Sequence, residues 1–305
     1  MFWADPRAQA NDSTRMMKTF LGVIGGSGVY DVPGLAKAHW TPVSTPWGEP
    51  SDELLIGELS GLPIAFLPRH GRGHKSAAGG INYRANIDAL KRVGVTDLVS
   101  LSACGSLREE LAPGTFVLVD QFIDRTFARE TSFFGNGCVA HVAFAEPVSP
   151  LLVGYVADAA RVERLPLHVG GTYLAMEGPQ FSTLAESALY KSWGCDVIGM
   201  TNMPEAKLAR EAELCYATVA MVTDYDSWHA NFGTVEVSKV IERLLSNAES
   251  AKRLVVQLAK SIPRDHQLCP IGSDRALEGA IITSPTARDP AVVARLDAVA
   301  GRVLK

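Results

Sequence analysis

One short segment indicates the fold class: Leu21-Gly22-Val23-Ile24-Gly25-Gly26-Ser27-Gly28-Val29-Tyr30. Its β-branched residues predict a buried strand that runs into a tight loop. The glycines allow positive φ and a close approach of the backbone to a ligand, and successive N–H groups in such a loop can bind an anion. A dinucleotide fingerprint is not matched, because Asp31 stands where the third glycine belongs. The segment therefore fits a phosphate better than a nicotinamide cofactor, and a plain turn at a strand end explains it equally well at this point.

The composition is that of an ordinary globular chain. Of the 305 residues, 47% are hydrophobic and 20% are charged, and the formal net charge is −4. This charge gives no electrostatic footprint for nucleic acid, and no apolar run approaches the roughly 20 residues of a membrane span. We therefore expect neither nucleic acid nor a membrane as a partner. Residues 1–20 lack the apolar region of a secretory signal and are predicted to be a disordered tail.

The cysteines are spread along the chain and include no Cys-x-x-Cys pair: Cys104, Cys138, Cys195, Cys215 and Cys269. Their odd number and their spacing indicate neither a disulfide framework nor a zinc site. Three of them lie in or beside apolar runs, which is typical of buried, inert thiols in a reducing compartment. We therefore expect a cytoplasmic location and no metal.

Predicted strands alternate with predicted helices between residues 21 and 263. Apolar runs predict strands around residue 23 and over 54–59, 64–67, 97–102, 116–119, 168–175, 196–198 and 215–222. Helical spacing and capping residues predict helices over 82–93, 150–165 and 183–193, from residue 204, and over 235–262. The alternation predicts an α/β fold, a single domain with a central mixed β-sheet flanked by helices. Residues 264–305 are predicted to be a C-terminal extension that packs on this domain or trails from it, with one short helix over 291–304.

Polar or glycine-rich groups follow five of the predicted strands. They occupy residues 69–74, 102–106, 176–182, 199–205 and 223–226. Ligands bind at strand ends in α/β sheets, and an arginine of the first group can hold phosphate through a bidentate fork. One such loop alone is compatible with a solvated turn, but five at one sheet edge are better explained by a binding site.

As a set, the motifs resemble the trimeric purine nucleoside phosphorylase family, and within it the methylthioadenosine phosphorylases. The motifs are residues 25–28, 69–72, 82–86, 103–109, 120–126, 177–179, 200–201 and 223–226, in family order between residues 21 and 262. The resemblance implies a purine nucleoside phosphorylase-like fold and a homotrimer. It implies phosphorolysis of 5′-methylthioadenosine to adenine and 5-methylthioribose 1-phosphate, a pentosyl transfer of purine and methionine salvage. Inorganic phosphate is then a co-substrate, and no cofactor is expected.

The resemblance also assigns roles to residues by position. It implies phosphate binding by Ser27, Arg69, His70, Ser102, Ala103 and Thr201. It implies substrate binding by Phe181, Ser182, Met200, Val237, Val240 and His141, the last reaching in from a neighbouring subunit. The implied catalytic groups are Asp224 and Asp226.

The chemistry of these residue types fits such roles. A bound phosphate dianion stabilises an oxocarbenium-like sugar, and adenine leaves more readily when its N7 receives a hydrogen bond or a proton. Asp224 is the candidate donor provided that it is protonated, and a second carboxyl in a dry pocket raises a pKa in that way. Adenine presents an acceptor at N1 and donors at its amino group. Ser182 with Asp224 and Asp226 therefore favours adenine over a 6-oxopurine.

The chain departs from the family pattern in three places. The loop 75–80 lacks the usual proline, Gly199 stands where some relatives have asparagine, and only Ile281 or Ile282 can be suggested for the part of the methylthio pocket that the chain end supplies in relatives. The alternatives are a nucleosidase that uses water, a phosphorylase that prefers 6-oxopurine nucleosides, and a non-catalytic nucleotide-binding module. Dependence of turnover on phosphate separates the first of these from phosphorolysis.

Overall fold

The computed structural model describes residues 17–26, 28–229 and 237–304, with the backbone alone over 237–240. In this part of the chain the strands are β1 (Leu21–Gly25), β2 (Leu35–Thr41), β3 (Leu54–Leu59), β4 (Leu62–Pro68), β5 (Asp97–Ser106), β6 (Phe116–Leu118), β7 (Gln121–Arg125), β8 (Leu167–Val169), β9 (Thr172–Met176), β10 (Val197–Gly199) and β11 (Cys215–Asp224). The helices are α1 (Tyr83–Arg92), α2 (Pro150–Val162), α3 (Leu184–Ser192), α4 (Asn202–Glu211), α5 (Val237–Ser261), α6 (Pro290–Arg295) and α7 (Asp297–Ala300).

The strands form one mixed sheet in which β5 is the central strand. The order is β2-β3-β4-β1-β5-β10-β9-β7, while β11 pairs with both β5 and β6, and β6 also pairs with β8. Strand β1 is parallel to β4 and β5, and β11 is parallel to β5, whereas β10 runs antiparallel to β5. The predicted α/β fold, a single domain with a central mixed sheet flanked by helices, is confirmed.

Helices cover both faces of β11, which explains its nearly continuous apolar sequence. On one face Val219 packs in a cluster with Leu254 and Leu258 of α5, and on the other Tyr216 packs with Leu208 of α4. Full burial of a leucine side chain contributes about 1.5–3 kcal/mol. These clusters hold β5 and β11 rigidly, so the residues at the ends of these strands have fixed positions.

The helix starts follow from their capping residues. The Asn82 side chain accepts a hydrogen bond from the backbone N–H of Ala85 at the start of α1. Thr183 and Glu186 form a reciprocal capping box at the start of α3. Both starts agree with the prediction from sequence, because capping chemistry is local to a few residues.

The structure differs from the predictions at sheet edges and at the chain end. Strands β2 and β7 were not predicted, because their largely exposed residues produce no apolar run. The strand predicted over 168–175 is two strands, since Gly170 and Gly171 have φ of 95° and 118° and interrupt it. The single helix predicted over 291–304 is the short pair α6 and α7.

The C-terminal segment packs against the rest of the chain. Leu277, Leu296 and Val299 are buried in the same apolar cluster as residues of α1 and α4. The backbone N–H of Thr19 donates to the carbonyl of Arg264 at 2.9 Å, so the last residues of the predicted tail pair with this segment. The division into a domain over 21–263, a tail over 1–20 and an extension over 264–305 remains a prediction. Within the described ranges, no helix has the length and apolar character needed to cross a membrane.

Candidate active site

A cavity of about 340 Å³ opens where strands β1, β4, β9, β10 and β11 end, beside the second half of β5. Each group of polar residues predicted at a strand end contributes to its wall: Gly26, His70, Ser102, Met176, Met200 and Asp224. Leu244 and Ala248 of α5 add an apolar side. A volume of this size suits a small organic ligand rather than a macromolecule.

The Asp224 carboxyl is held in the cavity wall by two donors from its own segment. Its Oδ1 accepts from the backbone N–H of Asp226 at 2.8 Å, and its Oδ2 lies 2.7 Å from the Thr223 hydroxyl. Burial raises the pKa of Asp224 against these hydrogen bonds, and the charge of Asp226 adds to the rise. Burial also raises the pKa of Asp226, against the hydroxyls of Ser187 and Ser182. This pair of carboxyls can therefore keep a proton for donation to a ligand.

Arg69 lies at the cavity wall, but most of its guanidinium is already engaged. Its Nε and Nη2 donate to the Glu205 carboxylate at 2.8 and 3.1 Å, Nη2 also donates to Ser100 Oγ at 2.6 Å, and Nη1 donates to the carbonyl of Leu101 at 2.9 Å. The residue is 1% exposed. The bidentate fork expected on phosphate is therefore formed with Glu205 instead. Among the described contacts, one Nη1 hydrogen remains for a ligand.

His70 is a neutral imidazole with a defined tautomer. Its Nδ1 lies 2.8 Å from the carbonyl oxygen of Ser76, to which it donates its proton. Burial, assisted by the charges of Arg69 and His74, lowers the pKa of His70 to about 4. The ring stacks on that of His74 with 4.2 Å between centroids. The unprotonated Nε2 is then an acceptor, so it can contact a phosphate oxygen only if that oxygen carries a proton or the imidazole gains one.

Two hydroxyls meet between the middle of β5 and the end of β10. Ser102 Oγ lies 3.0 Å from Thr201 Oγ1 and 3.3 Å from the Tyr173 hydroxyl. Ser102, Thr201 and their neighbour Ala103 all line the cavity. Hydroxyl hydrogens rotate freely, so Ser102 and Thr201 can turn two donors toward an anion in the cavity.

Tyr173 explains the glycine at position 199. A Cβ atom built on Gly199 would lie 1.9 Å from the Tyr173 hydroxyl oxygen and 2.7 Å from its Cζ. No side chain fits there while the tyrosine is present. The asparagine of some relatives is therefore excluded here by the ring of Tyr173.

A sequence model of the phosphorylase superfamily matches residues 20–260, which include all five strands that end at the cavity. The chain belongs to the phosphorylase superfamily. Its membership rests on the whole sheet and on the site, because the matched residues span both.

Relatives in this superfamily are similar along almost their whole length. The S-methyl-5′-thioadenosine phosphorylase of Cereibacter sphaeroides is 65% identical over 289 residues, which cover 95% of this chain and 100% of the relative. The S-methyl-5′-thioadenosine phosphorylase of Bradyrhizobium diazoefficiens is 64% identical over 290 residues, which cover 95% of this chain and 100% of the relative.

Solved structures of such proteins share the fold. A methylthioadenosine phosphorylase from an Antarctic soil metagenomic library superimposes with a TM-score of 0.85 at 42% identity, covering 92% of this chain and 99% of the other. A methylthioadenosine phosphorylase from Schistosoma mansoni in complex with adenine superimposes with a TM-score of 0.80 at 35% identity, covering 89% of this chain and 99% of the other.

In this phosphorylase superfamily chain, the residues predicted to bind the substrate lie at different depths. Phe181 and Met200 line the cavity, and Phe181 is 44% exposed. Ser182 is buried, its carbonyl accepts from Ser227 Oγ at 2.8 Å, and its hydroxyl lies 3.7 Å from Met176 Sδ. The structure therefore places Ser182 behind the cavity wall, where its hydroxyl and that of Ser187 face Asp226.

The structure assigns none of the four remaining predicted residues to this cavity. Ser27 is outside the described residues, as are the side chains of Val237 and Val240, although α5 begins at Val237. His141 is exposed and lines a second, open cavity of about 460 Å³. Ile281, the candidate from the end of the chain, forms a β-bridge with Ala140, which precedes His141. The end of the chain therefore lies beside His141.

Sequence reasoning missed Arg129, which organises the loops of the site. Its Nη1 donates to the carbonyl of Met200 at 2.5 Å and to that of Met203 at 2.7 Å, while its Nε donates to Glu177 Oε1 at 2.8 Å. The Arg129 side chain is 1% exposed. Its partners lie 48 to 74 residues away, so no local pattern marks it.

Residues of metal-ligand type also come together, but outside the cavity. Spacing along the sequence indicated no such cluster, yet Cys215, His266 and Asp274 place ligand atoms within 4.8 Å of one another. Cys215 precedes His266 by 51 residues (266 − 215), so the cluster joins two distant segments of the chain. A rule based on short spacing therefore does not detect them.

Proposed function

We propose that this chain is a 5′-methylthioadenosine phosphorylase, which converts 5′-methylthioadenosine and phosphate to adenine and 5-methylthioribose 1-phosphate. The observation that carries the proposal is one cavity that joins the Asp224 carboxyl, whose pKa burial raises, to the Ser102–Thr201 hydroxyl pair. An acid for the base and donors for an anion are the two elements that this reaction needs. Relatives that are 64–65% identical bear the name of the same activity.

Phosphate is proposed to bind among Ser27, Arg69, His70, Ser102, Ala103 and Thr201. In the reaction the bond from the ribose C1′ to the adenine N9 breaks, and a phosphate oxygen forms a new bond to C1′. The anion stabilises the positive charge that develops on the sugar before the new bond is complete. The Ser102 and Thr201 hydroxyls, 3.0 Å apart, supply donors without a charge of their own.

Asp224 is proposed to donate to N7 of adenine as the C1′–N9 bond breaks, and Asp226 to keep that proton in place. The backbone N–H of Asp226 already fixes Asp224 Oδ1. Phe181 and Met200 line the same cavity and are proposed to contact the base and the ribose. The hydroxyl of Ser182 contacts Met176 Sδ. We propose that the Ser182 side chain changes its rotamer, leaves this contact and hydrogen-bonds to the base.

A homotrimer with shared active sites belongs to the same proposal. His141, at the exposed second cavity with Val142 and Phe144, would reach the 5′ pocket of a neighbour, where Val237 and Val240 would contact the methylthio group. Inorganic phosphate is proposed as the co-substrate without a catalytic cofactor. The buried, unbridged cysteines agree with the proposed cytoplasmic location.

The test is product identification with and without phosphate. Purified protein is incubated with 5′-methylthioadenosine, and the sugar product is identified by mass spectrometry. We expect adenine and 5-methylthioribose 1-phosphate in equal amounts, only when phosphate is present. Free methylthioribose formed equally fast without phosphate would make the protein a nucleosidase, and binding without any product would make it a non-catalytic module.

A further inference from the structure

A second cluster of reactive side chains lies at the opposite ends of the two central strands. Cys215 begins β11 and is the paired neighbour of Asp97, which begins β5. The segment after α5 crosses these strand starts and brings His266, Cys269 and Asp274 to them. At about 3.3 Å per residue, the cluster is about 30 Å from Asp224 at the other end of β11 and about 17 Å from Ser102 in β5, so it lies outside the cavity.

Three potential ligand atoms lie close together, and the spacing of two of them fits a tetrahedral cation. Sγ of Cys215, a ring nitrogen of His266 and a carboxylate oxygen of Asp274 lie within 4.8 Å of one another. His266 Nε2 and Asp274 Oδ2 are 3.4 Å apart. Bonds of about 2.0–2.1 Å from zinc to nitrogen and oxygen, at a tetrahedral angle, separate the two atoms by about 3.4 Å.

His266 is oriented as a metal-binding histidine is. Its Nδ1 lies 2.8 Å from Asp97 Oδ2, and this carboxylate fixes the tautomer by accepting the Nδ1 proton. The Nε2 lone pair then faces the cluster. The residue is 7% exposed, and Nε2 is buried without a hydrogen-bond partner in the described structure. A carboxylate behind a histidine is the usual support of a zinc ligand.

We propose that Cys215, His266 and Asp274 bind a zinc-like divalent cation, with Cys269 or a water molecule as the fourth ligand. The set of one thiolate, one imidazole and one carboxylate favours zinc over magnesium or calcium, which prefer oxygen ligands alone. The backbone N–H of Cys269 donates to Asp274 Oδ2 at 2.8 Å and fixes that carboxylate.

The groups around the cluster are acidic. Asp97 Oδ2 lies 2.8 Å from His266 Nδ1, and Asp274 Oδ2 lies 3.4 Å from His266 Nε2. A cation bound by Cys215, His266 and Asp274 is therefore attracted by two carboxylates.

The site would be structural rather than catalytic. It ties the C-terminal segment to the starts of β5 and β11, where His266 also donates its backbone N–H to the carbonyl of Met17. The metal is expected to raise the unfolding temperature, because it binds the folded chain in preference to the unfolded one. Turnover of 5′-methylthioadenosine is expected to change less than twofold on removal of the metal.

Cobalt(II) is the direct probe, used on the untagged full-length protein after treatment with a chelator and a thiol reductant. We expect one cobalt per chain, a near-ultraviolet thiolate-to-cobalt charge-transfer band and the strong visible absorption of a tetrahedral site. Added zinc should displace the cobalt and remove both signals. Wild-type protein without a charge-transfer band, or with a Cys215–Cys269 disulfide that persists under reducing conditions, would overturn the proposal.

Variants locate the signal. Cys215→Ser and His266→Ala are expected to abolish the charge-transfer band, and Asp97→Asn to weaken zinc binding about 10- to 100-fold. Cys195→Ala removes a buried cysteine outside the cluster and should leave the band unchanged. An unchanged band in Cys215→Ser would refute the assignment. If that variant fails to fold, the wild-type spectrum and its displacement by zinc still decide.

Discussion

The hydroxyl of Thr223 lies 2.7 Å from Asp224 Oδ2 and 3.1 Å from the carbonyl oxygen of Cys104. This hydroxyl has one proton and faces two acceptors. If it donates to Cys104, the short contact to Asp224 requires that the carboxyl itself donates and is therefore protonated. When Asp224 loses its proton, the Thr223 hydroxyl can turn and donate to the carboxylate. The pair thus couples the orientation of one hydroxyl to the charge of the proposed acid.

Replacing Thr223 tests this coupling. The Thr223 hydrogen bond lowers the pKa of Asp224, so Thr223→Val should raise that pKa and move the basic limb of the kcat profile to higher pH. Loss of one hydrogen bond of about 1–1.5 kcal/mol should also lower kcat about tenfold. Profiles of kcat against pH measure both effects. Thr223→Ser keeps the hydroxyl and should behave as wild type, and a Thr223→Val profile that coincides with wild type would disprove the coupling.

Arg69 and Glu205 should matter first for stability. Breaking a buried ion pair by removing one partner costs about 3–5 kcal/mol, so Arg69→Gln and Glu205→Gln should each lower the free energy of unfolding by a similar amount. The double replacement Arg69→Met with Glu205→Leu should recover much of the loss, because no unpaired charge stays buried. Urea unfolding gives these values.

The same Arg69 variant separates stability from phosphate binding. Only one Nη1 hydrogen of Arg69 is open to a ligand. Arg69→Gln is therefore expected to raise the KM for phosphate less than the loss of an arginine that binds phosphate through two N–H groups would. Unchanged unfolding together with a KM more than 100-fold higher would show that Arg69 serves phosphate alone.

The neutral state of His70 predicts that the protein takes up a proton at this residue when phosphate binds. The imidazole is neutral with a pKa of about 4, so at pH 8 it must gain a proton before its Nε2 can donate to an ionised phosphate oxygen. Binding of the anion then raises this pKa, and the KM for phosphate should increase with pH. Calorimetry in buffers of different ionisation enthalpy measures the uptake. His70→Asn should abolish it, and His39→Asn, at an exposed ring, should not; equal uptake in wild type and His70→Asn would contradict the assignment.

The preference for adenine can be tested at two residues. Ser182→Glu with Asp224→Asn reverses the pattern of donors and acceptors toward that of a 6-oxopurine. A buried mismatch costs roughly 1–3 kcal/mol per group, so the ratio of kcat/KM for methylthioadenosine over methylthioinosine should fall on the order of 10²-fold. Ser192→Glu, at an exposed position of α3, is the control. An unchanged ratio in the double variant would show that these residues do not read the base.

The parts of the site that could be predicted are those encoded locally. Asp224 and Thr201 directly follow apolar strands, and strand ends of an α/β sheet converge, so their meeting in one cavity follows from sequence. The engagement of Arg69 could not be predicted, because Glu205 lies 136 residues away and nothing in either segment specifies the pairing. For the same reason Arg129 was not noticed. The edge strand β2 was missed since its pairing on one side leaves its side chains exposed.

The close packing of Gly199 against Tyr173 limits how this pocket can be redesigned. An asparagine at 199 cannot be introduced alone, since its Cβ would collide with the tyrosine ring. Positions 199 and 173 therefore have to change together, because a residue larger than glycine at 199 requires a residue smaller than tyrosine at 173. Such an exchange also removes the Tyr173 hydroxyl near Ser102. A library that varies position 199 alone would sample mostly distorted pockets, whereas one that varies both positions together can exchange a tyrosine hydroxyl for an amide at the same place.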